Sequence, residues 1–104
     1  MTVQRPWLAE YPPGVPGNVA TDLYPSLAGL LEEAFGRFAD RPAAICLGSS
    51  LRFRDVDRAS AALGAWLQSK GLKPGARVAL MMPNLPQYMV AIAAVLRAGY
   101  VVVN

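Results

Sequence analysis

The last third of the chain places the tightest limit on what it can fold into. Arg77-Val78-Ala79-Leu80-Met81-Met82 is an apolar run set between the turn residues Lys73-Pro74-Gly75 and Pro83-Asn84, and such a run reads as a strand covered on both faces. Tyr88 to Ala98 follows with helical spacing, with Pro86 near its first turn and Gly99 after its last, where proline fits the start of a helix and glycine its C′ position. A second apolar run, Tyr100-Val101-Val102-Val103-Asn104, comes next. Strand, helix and strand make a βαβ unit, so the two strands are expected to be parallel neighbours joined by a right-handed crossover. The predicted fold class is α/β.

Upstream, Ser26 is a suitable N-cap, and Leu27, Leu30, Leu31, Ala34, Phe35 and Phe38 recur at one-sided helical spacing. Glu33 and Arg37 then form an outward i, i+4 pair. The helix should stop near Asp40-Arg41-Pro42, because proline disfavours helical geometry in the residue before it. Ala43 to Leu47 and Leu51 to Arg54, separated by Gly48-Ser49-Ser50, read as a β-hairpin. Asp55 is the predicted N-cap of the next helix, with Asp57 adding charge to its first turn, Val56, Ala59, Leu63, Trp66 and Leu67 as its apolar stripe, and Gly71 closing it. Three helices, a hairpin and a parallel βαβ unit result. The first 25 residues hold Pro6, Pro12, Pro13, Pro16 and Pro25, which forbid a regular helix or a central strand and imply an extended arm. Trp7, Leu8, Tyr11 and Tyr24 are too apolar for a free linker, so the arm is expected to lie against a surface.

A chain of 104 residues is the size of one domain. Its residues are 54% hydrophobic and only 16% charged, against about 25% charged in ordinary domains. A body this small has much surface for its volume and should be more polar, not less. The apolar excess, and a three-valine run just before the final Asn104, lead to the expectation of an N-terminal piece of a larger α/β protein.

Several chemistries are excluded outright. The chain has no histidine, which removes imidazole bases, Ser-His and Cys-His nucleophiles and histidine-ligated metals. Cys46 is the lone cysteine, lies in the apolar run Ala43 to Leu47, and reads as a small buried hydrophobe rather than a reactive thiol. One cysteine and no signal-peptide pattern after Met1 imply a reducing cytoplasm. The longest uncharged apolar stretch, Tyr88 to Leu96, is nine residues, too short for the roughly 20 a bilayer requires. A net charge of +3 is scattered, with Arg52, Arg54 and Arg58 its one grouping. Arg52 and Arg54 would share one strand face, read as a solvated face without aromatic interleaving, so no nucleic-acid partner is predicted. Neither Gly48-Ser49-Ser50 nor Gly71-Leu72-Lys73-Pro74-Gly75 supplies a phosphate-cradling loop. Adjacent Glu32 and Glu33 diverge on a helix and cannot pair as acid and base. Asp55 and Asp57 are accounted for by a helix start, and Met81, Met82 and Met89 by core filling. No residue of this segment is therefore assigned a catalytic, cofactor-binding or metal-ligating role.

Three motifs in order carry a resemblance. Leu51-Arg52-Phe53-Arg54-Asp55-Val56 is similar to L-[ST]-Y-x-E-L, Gly71-Leu72-Lys73-Pro74-Gly75-Ala76-Arg77-Val78-Ala79 to G-[LV]-x-x-G-D-R-V-A, and Leu96-Arg97-Ala98-Gly99 through Asn104 to L-[KR]-A-G-x-x-x-x-[PN]. Together they resemble the start of the adenylate-forming enzymes: acyl-CoA synthetases, luciferases and peptide-synthetase adenylation domains. Trp7-Leu8, Tyr11-Pro12-Pro13-Gly14-Val15-Pro16, Arg41-Pro42-Ala43, Met81-Met82-Pro83-Asn84 and Gln87-Tyr88 resemble in particular the bacterial long-chain fatty-acid–CoA ligases.

The resemblance implies an arm over 1–25 and, over 26–104, an incomplete N-terminal subdomain of the family's large layered α/β domain. The whole enzyme would convert a fatty acid and ATP into acyl-adenylate and pyrophosphate, then transfer the acyl group to coenzyme A, with Mg²⁺ stabilising phosphoryl charge. The family's phosphate loop, ribose-binding aspartate, hinge and catalytic lysine would lie beyond Asn104, so the segment alone is expected to be inactive. Its implied partners are the remainder of its own chain, fatty acid, ATP and coenzyme A. Self-association into a homo-oligomer is expected from the unpaired strand at Val101 to Val103. Peripheral association of the parent with the inner membrane is a further expectation, since acyl substrates partition into bilayers, although no basic amphipathic helix here argues for it. Two rivals stand beside this reading: a ligase of the same superfamily for medium-chain or aromatic acids, and a small self-folding module that binds a partner without catalysis.

Overall fold

The computed structural model describes residues 2–104. A single 3₁₀ turn, Pro6–Glu10, precedes α1 (Leu27–Arg37), β1 (Pro42–Cys46), β2 (Ser49–Arg52), α2 (Phe53–Gln68), β3 (Arg77–Ala79), α3 (Pro86–Arg97) and β4 (Val101–Val103). The α/β class, the hairpin, the three helices and the parallel βαβ unit are all present.

Ser26 caps α1 as expected, its hydroxyl accepting the Gly29 N–H at 3.1 Å. The helix closes at Phe38, whose N–H donates to Ala34 O. Phe35 is its buried residue, and Phe38 packs on Phe53 with ring centroids 6.0 Å apart. Among the described residues no ion pair joins Glu33 to Arg37. The Arg37 guanidinium lies over the Phe38 ring instead, and the neighbouring Glu33 carboxylate raises the Tyr24 hydroxyl above its usual pKa.

The hairpin is tighter than the glycine-serine spacing suggests. Cys46 pairs with Ser49, so the connection is the two residues Leu47-Gly48, both with positive φ (48° and 80°). Two left-handed residues in a two-residue loop make the type I′ turn that matches strand twist. The second strand then ends at Arg52 rather than Arg54, because Asp55 captures the Arg52 N–H at 2.8 Å. Asp55 is thus the third residue of α2 reaching back, not its N-cap, and Phe53 and Arg54 join the helix.

The buried face of α2 is Val56, Ser60 and Gly64, a line of small residues at i, i+4, i+8. Trp66 and Ala59 point outward, against the expected stripe. The reason is the partner helix: α3 buries Ala91, Ala93, Ala94 and Val95, and a Cβ at Gly64 would come within 3.2 Å of Ala94 O. Two small-residue faces approach closely where a tryptophan has no room. The main apolar cluster joins Phe35, Val56 and Ala93, with Leu31, Phe53 and Met89 packed around it.

Strands β3 and β4 pair in parallel, Arg77 with Val101 through Ala79 with Val103. One more bond, from Leu80 N–H to Val103 O at 2.9 Å, ends the ladder. The expected strand through Met82 is therefore shorter, and Met81 stands 96% exposed. Pro86 starts α3 and Gly99 (φ 88°) follows it.

In residues 2–25 the prolines permit the 3₁₀ turn, whose first residue is Pro6. This stretch also closes on itself: Arg5 donates to Asn18 Oδ1 at 2.7 Å, and Leu8 packs against Gly17. Trp7, Leu8 and Tyr11 remain exposed.

Candidate functional site

The polar centre of the molecule is Arg97, at the C-terminal end of α3. Its Nη1 donates to Ser60 Oγ at 2.8 Å and to Asp57 O at 3.0 Å, and lies 2.9 Å from Asp57 Oδ1. Its Nε reaches Glu32 Oε1 at 3.4 Å, and its guanidinium covers the Phe35 ring at 5.5 Å. One side chain, 19% exposed, thereby joins α1, α2 and α3. Ser60 is fully buried, and its hydroxyl is satisfied on both sides, donating to Asp57 O and accepting from Arg97.

This arrangement ties the three helices together. Every charge facing Arg97 is a carboxylate that neutralises it, and no imidazole is available to shuttle a proton. The sequence displays Glu32, Asp57 and Arg97 but not their convergence. The one available signal is a serine at position 60, in line with Val56 on a face that is otherwise apolar.

The second feature is an apolar groove of about 450 Å³ between β1 and the start of α3. Leu31, Ala44, Ile45, Cys46, Leu85 and Met89 line it. Cys46 is half-buried in its wall. At its rim the Tyr88 hydroxyl donates to Asn104 Oδ1. Of the arginines, Arg54 pairs with Asp40 from the first turn of α2, so it shares no strand face with Arg52. Glu32 and Glu33 diverge, one to Arg97 and the other to Tyr24. Among the described residues no three His, Cys, Asp or Glu side chains converge in a way that could hold a metal ion.

The model of the AMP-binding enzyme family matches residues 31–104, which include the hairpin, the Arg97 tie and the whole βαβ unit. The chain belongs to the AMP-binding enzyme family. It is 48% identical over 103 residues, 98% of its length, to a long-chain-fatty-acid–CoA ligase of Salmonella typhimurium. It is 40% identical over 104 residues to one of Bacillus subtilis. The chain spans 18% of the length of each. The N-terminal subdomain of Klebsiella oxytoca NpsA, solved in complex with anthranilyl-AMSN, superposes with a TM-score of 0.71 at 28% identity, covering 75% of this chain and 21% of that one. In Leu96-Arg97-Ala98-Gly99, Arg97 fastens α3 to α1 and α2.

Proposed function

We propose that this chain is part of a long-chain fatty-acid–CoA ligase, an enzyme that converts a fatty acid and ATP to acyl-adenylate and pyrophosphate and passes the acyl group to the thiol of coenzyme A. The observation that carries this reading is 48% identity sustained over 103 residues, arm included, with a ligase of that name. ATP, Mg²⁺ and coenzyme A are the cofactors it entails. The described residues do not fit the metal, since no three of their carboxylate or thiol side chains come together and the two that meet, Glu32 and Asp57, are held by Arg97, and no step is routed through it. The role of this chain is scaffolding: Arg97 ties α3, the helix of the βαβ unit, to α1 and α2. The catalytic and nucleotide-binding groups belong to the rest of the enzyme, and no residue of this chain is among them.

The test is fatty-acid-dependent ATP–pyrophosphate exchange by the full-length enzyme over acids of graded chain length. Exchange that rises with chain length is expected; a preference for aromatic or medium-chain acids would replace this reading with the other ligase class. The 104-residue chain alone is expected to give no exchange, and turnover by it would overturn the assignment of chemistry elsewhere. A partner-binding module without catalysis is left with no support beside the family match.

The same reading includes the remainder of the ligase polypeptide as the main partner, self-association of the chain, a cytoplasmic location and peripheral contact with the inner membrane. Among the described residues no helix is long and apolar enough to cross a membrane.

A further inference from the structure

The groove beside β1 has an unusual wall. Ala44, Ile45 and Cys46 all line it, yet consecutive strand residues point to opposite faces. One cavity touches all three only if it runs along the edge of the strand, where the backbone is. β1 has a single neighbour, β2, so among the described residues this edge is unpaired. The turn geometry says which groups it presents. In a two-residue hairpin the pair flanking the turn, Cys46 and Ser49, exchanges both of its hydrogen bonds, and the next pair, Ile45 and Ser50, exchanges none. The Ile45 N–H and C=O therefore face the groove, and no bond outside the hairpin ladder reaches either of them. The Ile45 side chain is also 72% exposed.

We propose that the free edge of β1 receives a third strand from the rest of the ligase polypeptide, hydrogen-bonded at Ile45 and burying its apolar side chains in the groove. This rests on the reading of the chain as part of a longer ligase, of which it spans 18%. Two observations select a peptide over an aliphatic chain. Only a peptide offers a donor and an acceptor at the spacing of the unpaired Ile45 groups, and an acyl chain in the same groove would leave both buried without partners.

The experiment is residue-resolved amide hydrogen exchange on the full-length enzyme, read at Ile45. Protection of about 100-fold or more relative to an open strand edge, independent of enzyme concentration and of added fatty acid, is the expected result. Exchange at the open-edge rate would overturn the proposal. Protection that grows with enzyme concentration would overturn it in favour of a second copy, and protection appearing only with a long-chain acid would overturn it in favour of an acyl site. The chain-length assay above is a separate readout, so a protected Ile45 in an enzyme that activates another acid class would leave the strand in place while the substrate reading falls.

Discussion

Arg97 shows how much one side chain carries when its partners sit on different helices. Its Ser60 contact is buried, its Asp57 partner is 45% exposed, and the Glu32 contact is long and on a carboxylate 58% exposed. Arg97→Ala should therefore cost about 1 kcal/mol, since it removes the bond to the buried Ser60 hydroxyl together with a solvent-screened pair to Asp57. Glu32→Ala should cost less than about 0.5 kcal/mol, as exposed pairs do. Arg97→Lys should recover only part of the loss, because an ammonium cannot divide its donors as the planar fork does. Urea unfolding midpoints of the three variants check this order. Tyr24 offers a pH-dependent counterpart. Its hydroxyl is held above the usual tyrosine value of 10.0, first by the hydrogen bond to Glu33, then by desolvation and the Glu33 charge. A raised folded pKa means the contact contributes fully below the ordinary tyrosine value and is lost as the pH rises through the folded value. The expected outcome is a late tyrosinate step in the near-ultraviolet absorbance that Tyr24→Phe removes; an unchanged titration would refute it. Glu32, Asp57 and Arg97 are each identifiable in the sequence, but nothing in their spacing shows Asp57 meeting an arginine 40 positions away.

At the scale of elements, local chemistry decided most boundaries and tertiary contact decided the faces. The Ser26 cap, the Pro86 start and the Gly99 stop are all readable, since each depends on a residue's own backbone preference. The most obvious cue, Gly48-Ser49-Ser50, misplaces the hairpin turn, because register with β1 moves it to Leu47-Gly48. Leu47 is 99% exposed with φ at 48°, so it is strained without packing in return. Leu47→Asn should stabilise the chain by about 1 kcal/mol, read as a rise of about 4 to 8 °C in Tm for a chain of this size. Two helical glycines make a paired test. Gly36 in α1 has open space where its Cβ would be, whereas Gly64 in α2 meets Ala94 O. Gly36→Ala should add about 0.5 to 1 kcal/mol from helix propensity, and Gly64→Ala should gain nothing or lose, because α2 and α3 would have to part. Equal thermal shifts for the two would contradict the close helix contact. Periodicity assigns Trp66 to the α2 core because it counts hydrophobicity but not the room the partner helix leaves.

For the whole molecule, the radius of gyration is 17.3 Å, against about 13 Å for a compact domain of this length. The accessible surface is 7913 Å², against roughly 5,700 Å² for a compact protein of the same mass. The excess includes apolar groups: Ile45, Leu47 and Met81 are exposed over most of their surface. Such surface recruits other chains, so light scattering on the 104-residue chain should show mass rising with concentration, and a monomer throughout would contradict this. The low charge and high apolar content of the sequence foretold that excess, and motif order foretold the family, because both depend only on which residues are present and in what sequence. Helix caps and the βαβ order were equally local. The Arg97 tie, the small-residue seam between α2 and α3, and the open β1 edge were decided only in three dimensions. Each depends on distances between groups far apart in the chain, and those distances are set by how the helices and strands pack, not by any one segment's preferences.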